Sequence, residues 1–157
     1  MCETRSVTQA DVDLMRQADV VIFAARWQEW AADGFADTLS AMQIPDTTQV
    51  IVVGSKAFEA NRRDVLKAFR HKGAAATAET DERNLAVNSS LKAQSEGVLF
   101  VDILGSFCAQ GCPLFTLEGA MVSYDGAHLT PAGARALGQA LFNGPLKNVA
   151  FDTASGT

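Results

Sequence analysis

Three short runs of almost unbroken apolar residues constrain this chain more than any other feature of its sequence: VVIFAA from about Val20, QVIVVG ending at Gly54, and GVLFVD ending at Asp102. A strand covered on one face alternates apolar with polar residues. One covered on both faces reads as a continuous hydrophobic run rich in Val and Ile. Between the runs lie longer stretches with helical spacing, and that alternation is the pattern of an α/β domain built on a parallel sheet. The first run, Ala18 to Ala25, reads as a central strand, the second as Gln49 to Gly54, and the third carries Asp102 to the carboxyl edge of the sheet, where such folds place their sites.

The helical stretches run from Thr8 to Gln17, from Glu29 to Met42, from Glu59 to His71 with Val65, Leu66 and Phe69 on one stripe, and from Asp81 to Glu96. The closing segment HLTPAGARALGQALFNGP has the strongest boundaries. Thr130 fits an N-cap, Pro131 the first helical position and Gly144-Pro145 the stop, so a helix is predicted from Pro131 to Phe142. With 157 residues, 48% of them apolar, the chain suits one hydrophobic core, giving a single domain over residues 1–147 and a flexible tail over 148–157. Three strands are few for an open sheet, whose usual number is about five, and the chain opens on a helix where most doubly wound folds open on a strand. A first strand is therefore expected to be missing.

A net charge of -5 offers no basic footprint for nucleic acid, which is excluded as a partner. No apolar run nears the roughly 18 residues that cross a bilayer, and MCETRSVTQADVDLM is too polar for a secretory signal. Neither G-x-G-x-x-G nor a Walker sequence occurs, so no cofactor is expected. Cys108 and Cys112 lie four apart in FCAQGCP, with Cys2 alone near the start. The pair reads either as two unrelated thiols or as a small-loop disulfide needing an oxidising compartment. Zinc would require four ligands, and no second Cys or His pair stands at metal spacing, so no metal is expected.

The sharpest chemical signal is SYDGAHLTPAG. Two small residues separate Asp125 from His128 on a turn before a capped helix, close enough to bring a carboxylate to one imidazole nitrogen. Such a carboxylate fixes the ring's tautomer and leaves Nε2 free to accept a proton from a hydroxyl. From spacing alone the stretch also reads as an ordinary Asp-Gly turn.

This stretch resembles the final block of the SGNH hydrolase superfamily, D-x-x-H followed by a small-residue helix. It is most similar to the SGNH domains fused behind the membrane acyltransferase-3 domain of bacterial polysaccharide O-acetyltransferases. There, too, a cysteine pair and an aromatic residue precede D-x-x-H, places held here by Cys108, Cys112 and Tyr124, while VVIFAARW resembles the strand of those domains that ends in tryptophan. The resemblance spans roughly Ala18 to Phe142.

It implies a three-layer, flavodoxin-like parallel sheet with helices on both faces, acting on acyl esters, usually acetyl, of carbohydrate. Asp125 would orient and His128 would serve as general base. Cys108 and Cys112 would form a disulfide, and the domain would be periplasmic as part of an exported or membrane-anchored parent. A membrane acyltransferase domain or a second copy of the chain would be its partner.

The superfamily's nucleophile is the serine of a G-D-S motif closing the first strand, and no G-D-S occurs in this sequence. A fragment or mis-started chain, a degenerate copy, or a different serine would each account for that. The first has the advantage that the missing signal, the missing strand and the cysteines share one cause.

Ser55, directly after an apolar strand, is the alternative nucleophile, although Gly54-Ser55-Lys56 lacks the second glycine of a nucleophile elbow. Ser123 and Ser106 are less well placed. Arg26 and Trp27 stand at the matching strand end as candidate substrate-binding residues, the arginine for an acyl or sugar oxygen and the indole for stacking. Two tryptophans three apart at a helix start, as Trp27 and Trp30 are, more often serve as core and staple. His71 is expected to cap a helix C-terminus, and Asn88-Ser89-Ser90 is a glycosylation pattern without weight in a chain that is not secreted. A non-catalytic carbohydrate- or partner-binding module on the same scaffold is the alternative function, and a partner chain donating the absent strand is a third possibility.

Overall fold

The computed structural model describes residues 8–56 and 62–149. The chain enters on helix α1 (Gln9–Gln17), whose N-cap Thr8 and third residue Asp11 bond each other's backbone in a capping box. Strand β1 (Val20–Ala24) follows, then α2 (Glu29–Asp33) and α3 (Phe35–Met42). The single helix expected over Glu29 to Met42 is thus two. At Gly34, φ -95° and ψ 13° break the spiral for one residue.

Strand β2 (Gln49–Val53) leads to α4 (Arg62–Lys72), and the part of the predicted helix before Arg62 lies outside the described residues. His71 stands in the last turn of α4, where the helix dipole favours a basic residue. After a one-turn 3-10 helix and the two-residue strand β3 (Thr77–Ala78) comes α5 (Glu82–Ala93), capped by Asp81. Strand β4 (Leu99–Val101) runs into α6 (Ile103–Phe107), strand β5 (Cys112–Pro113) and α7 (Pro131–Asn143). Asp102, foreseen at the sheet's carboxyl edge, uses its carboxylate there to accept the Gly105 N–H at 2.9 Å and cap α6.

The main sheet is wholly parallel, in the order β1-β2-β4, with Val20 opposite Gln49 and Ile51 opposite Leu99. Helices cover both faces. Phe23, Val50, Val52 and Phe100 pack against Ala32, Phe35, Val87 and Leu91 of α2, α3 and α5. On the opposite face Val20, Ile51, Val53, Leu99 and Val101 meet Leu141, Leu146 and Val149 around α7. Burying each of these aliphatic side chains contributes about 1.5–3 kcal/mol, so the apolar runs are explained by two covered faces.

They do not place β1 centrally, as the sequence suggested. The strand lies at an edge and Ile22 is 51% exposed. Hydrophobicity reports which faces are covered and says nothing about lateral pairing. Val149, inside the expected tail, packs on the core, and residues 150–157 lie outside the described part.

A second, antiparallel ribbon pairs β3 with β5, matching Ala78 with Cys112. Two small clusters hold this ribbon beneath the Asp125 turn, one around Leu104, Cys108, Cys112 and Val122 and one around Val65, Ala76, Leu114 and Phe115. Cys108 and Cys112 are bonded to each other in the structure. No helix among the described residues is long and apolar enough to cross a membrane.

Candidate active site

The turn from Ser123 to Thr130 is fixed by its own side chains. Gly126 takes φ +79°, a backbone region that side chains other than glycine's rarely tolerate. This brings the Ala127 and His128 N–H groups onto Asp125 Oδ1, at 2.9 and 2.8 Å. The same carboxylate holds His128 Nδ1 at 2.8 Å through Oδ2. Ser123 Oγ accepts the Gly126 N–H at 2.9 Å and donates to the His128 carbonyl at 2.6 Å, so it is a bracket of the turn. Thr130 closes the segment as N-cap of α7, accepting the Gly133 N–H at 3.0 Å and donating to the Met121 carbonyl at 2.5 Å.

The hydrogen bond from the His128 N–H, followed by those from the His128 ring and the Ala127 N–H, holds the Asp125 carboxyl far below the usual carboxylate range. Both side chains remain open to solvent, 52% for Asp125 and 83% for His128, so this is a rim site screened by water. Its anchor to the sheet is Lys56, whose ammonium donates to the Ala127 carbonyl. Burial lowers the Lys56 pKa, and the nearby Asp125 charge partly offsets that shift.

A cavity of about 390 Å³ opens beside the turn, lined by Ala24, Ala25, Arg26, Val53, Gly54, Ser55, Lys56, Ile103, Ala127 and His128. Ala24 ends β1, Val53 ends β2 and Ile103 follows β4, which puts the cavity at the carboxyl edge of the parallel sheet, the usual place for a site in this architecture. The structure therefore brings Arg26, Ser55 and His128 to one cavity. Trp27 is not among its walls. Its indole N–H donates to the Val53 carbonyl at 2.8 Å, and its ring meets Phe35 edge-on at 5.3 Å. Trp30 is 79% exposed.

Ser55 is 1% exposed, and its hydroxyl is the one buried side-chain polar atom among the described residues without a hydrogen-bond partner. It is thus not joined to His128, as a serine engaged with its base would be. Its backbone is clamped instead. Asn88 Oδ1 accepts the Ser55 N–H at 2.7 Å and Asn88 Nδ2 donates to the Ser55 carbonyl at 3.2 Å.

Asn88 and Lys56 are the two site residues that sequence reasoning passed over. Asn88, 5% exposed, was visible only as part of a glycosylation pattern, which its burial leaves inaccessible. Lys56 had one signal, its place just beyond an apolar strand. Larger hollows, of about 620 Å³ around Leu39, Pro45 and Gly97 and about 720 Å³ around Ile22, Trp30 and Phe35, do not include Asp125 or His128. Among the described residues no group of three or more His, Cys, Asp or Glu side chains is arranged to hold a metal.

A family model described as "SGNH domain (fused to AT3 domains)" matches residues 1–142. Neither the curated proteins nor the solved structures contain a match.

Proposed function

We propose a function from one premise: this chain belongs to the family of SGNH domains that are fused to AT3 domains. That membership associates it with acyl transfer and ester chemistry, and makes an AT3 domain its natural partner. The finer reading is ours. The chain acts on acyl esters of carbohydrate, acetyl in the simplest case, as the periplasmic portion of a larger acyltransferase. Asp125 orients the imidazole and His128 is the general base.

The observation that carries this reading is the 2.8 Å contact from Asp125 Oδ2 to His128 Nδ1, on a ring that lines the cavity at the sheet's carboxyl edge. With Nδ1–H committed to the carboxylate, Nε2 takes the proton of an attacking hydroxyl as its oxygen bonds to the acyl carbon. The imidazolium then returns that proton to the departing alcohol. Arg26, on the same cavity, faces the acyl or sugar oxygen. The attacking hydroxyl is that of a serine outside these 157 residues, which hold no G-D-S, or of water where that serine is lost; Ser55 is the alternative nucleophile.

The test is hydrolysis of p-nitrophenyl acetate by the chain and by its His128→Ala, Asp125→Asn and Ser55→Ala variants. Slow hydrolysis that falls about a hundredfold in His128→Ala is expected, the usual scale of general-base catalysis. A Ser55→Ala variant as inactive as His128→Ala would identify Ser55 as the nucleophile. Full activity in His128→Ala would end the catalytic reading. The second reading is a non-catalytic binding module, favoured by the absence of any bond between His128 and the Ser55 hydroxyl. Hydrolysis no faster than buffer would select it.

A further inference from the structure

We infer that the cavity beside Asp125 and His128 is built for a ligand bearing a carboxylate, with Lys56 and Arg26 as the residues that select its charge. This rests on the reading of that cavity as the substrate site and adds the charge of what enters it.

The cavity is lined by side chains with hydrogen-bond donors left over. Lys56 has three N–H donors and its ammonium gives one to the Ala127 carbonyl. Arg26 has five in a planar fork, and neither cation forms an ion pair among the described residues. Ser55 contributes a buried hydroxyl with no partner at all. Against these donors stands one nearby carboxylate, Asp125, and both of its oxygens are committed to the Ala127 and His128 N–H groups and the His128 ring.

Arg26 also borders a small polar cleft toward Glu29 and Asp81. There Glu29 is paired with Arg83 at 2.8 Å, and Asp81 accepts the Arg83 N–H at 2.9 Å and an Asn84 N–H at 2.6 Å.

A neutral sugar needs acceptors as well as donors, whereas a carboxylate needs donors alone and matches the guanidinium fork in two bonds. Burial disfavours the Lys56 charge more than the nearby Asp125 carboxylate restores it, and an entering carboxylate adds the compensation that Asp125 leaves short. The cationic character is also local. The chain as a whole carries -5, so two unpaired cations at one cavity are not a by-product of a basic surface. The carboxylate can belong to the sugar, as in a uronate, or to the acyl group, as in a dicarboxylic half-ester.

The experiment is a titration of the isotope-labelled chain followed by backbone amide signals, with D-glucuronate and monomethyl succinate as probes and D-glucose and methyl acetate as neutral controls. Saturable shifts at Ser55, Lys56, Ala127 and His128 are expected for a carboxylate probe and not for its neutral control. A response to glucuronate alone places the charge on the sugar, and one to monomethyl succinate alone places it on the acyl group.

Lys56→Met and Arg26→Gln should each weaken binding about tenfold, while Lys56→Arg retains it. Equal shifts from neutral and charged probes, no shifts from any probe, or undiminished binding in both variants would overturn the inference. His128→Ala separates the two proposals. Hydrolysis that depends on His128 without charge selectivity refutes only the ligand inference, and carboxylate binding without hydrolysis refutes only the catalytic reading.

Discussion

Alanine in place of Gly133 should destabilise the protein, although the same change in an ordinary helix stabilises it. Replacing a helix-interior glycine by alanine restrains the unfolded chain and is worth about 0.5–1 kcal/mol. Gly138, five residues further along α7, is such a position, since a Cβ there meets nothing within 4 Å. At Gly133 a Cβ would lie 2.1 Å from the Val122 carbonyl oxygen and 2.8 Å from its carbon, the first of these more than 1 Å inside the roughly 3.5 Å of an ordinary contact.

Val122 has no room to retreat. It is 1% exposed, its N–H bonds the Leu114 carbonyl at 2.9 Å, and its own carbonyl accepts the Thr130 N–H at 3.0 Å. Overpacking of this kind costs about 1–3 kcal/mol, which outweighs the helical gain and leaves a net loss of about 1–2 kcal/mol. The expected result is opposite shifts in the urea midpoint, down for Gly133→Ala and up for Gly138→Ala, at unchanged slope. Because α7 starts at the end of the Asp125 turn, Gly133→Ala should also shift the His128 amide signal. A Gly133→Ala variant as stable as the parent would refute the close packing of α7 on Val122.

Three further outcomes follow from the site. Asn88→Ala removes both side-chain bonds to the Ser55 backbone, and at about 1 kcal/mol for each buried bond should lower stability by roughly 2 kcal/mol in urea denaturation. Asp125 is held below its ordinary pKa in the folded chain, so its bonds contribute stability above the unfolded carboxylate value of about 3.9 and lose it as pH falls below that. Asp125→Asn should flatten the acid limb of the urea midpoint plotted against pH, and an unchanged limb would count against the three bonds. Of the three cysteines, only Cys2 should react with a thiol reagent in unfolded, unreduced protein, and all three after reduction. Closing so short a loop is worth about 2 kcal/mol.

What the sequence disclosed and what it hid divide along physical lines. The three apolar runs gave the strands because coverage on both faces is written into consecutive residues. Thr130, Pro131 and Gly144 gave α7 because caps are local. The Asp125–His128 contact was legible for the same reason, since three residues of turn carry all of its bonds.

The position of β1 was not legible. Lateral order in a sheet is decided by partners distant in sequence, and an apolar edge strand looks like an inner one. The ribbon of β3 and β5 escaped because two residues per strand leave no period to read. The site's anchors were hidden by distance, as Lys56 reaches Ala127 across 71 positions and Asn88 reaches Ser55 across 33. Nothing near either residue in the sequence marks the contact.

If Asp125 fixes the His128 ring so that Nε2 is left bare to act as a base, the tautomer of that ring reports it. The chain holds only two histidines, so a long-range proton–nitrogen spectrum of the neutral imidazoles assigns each by loss of its signals in His71→Ala or His128→Ala. The proton of His128 should reside on Nδ1 in the parent chain, and Asp125→Asn should abolish that preference while His71 is unaffected. A proton on Nε2 in the parent chain, or a tautomer indifferent to Asp125, would mean that Asp125 does not prepare His128 as a base.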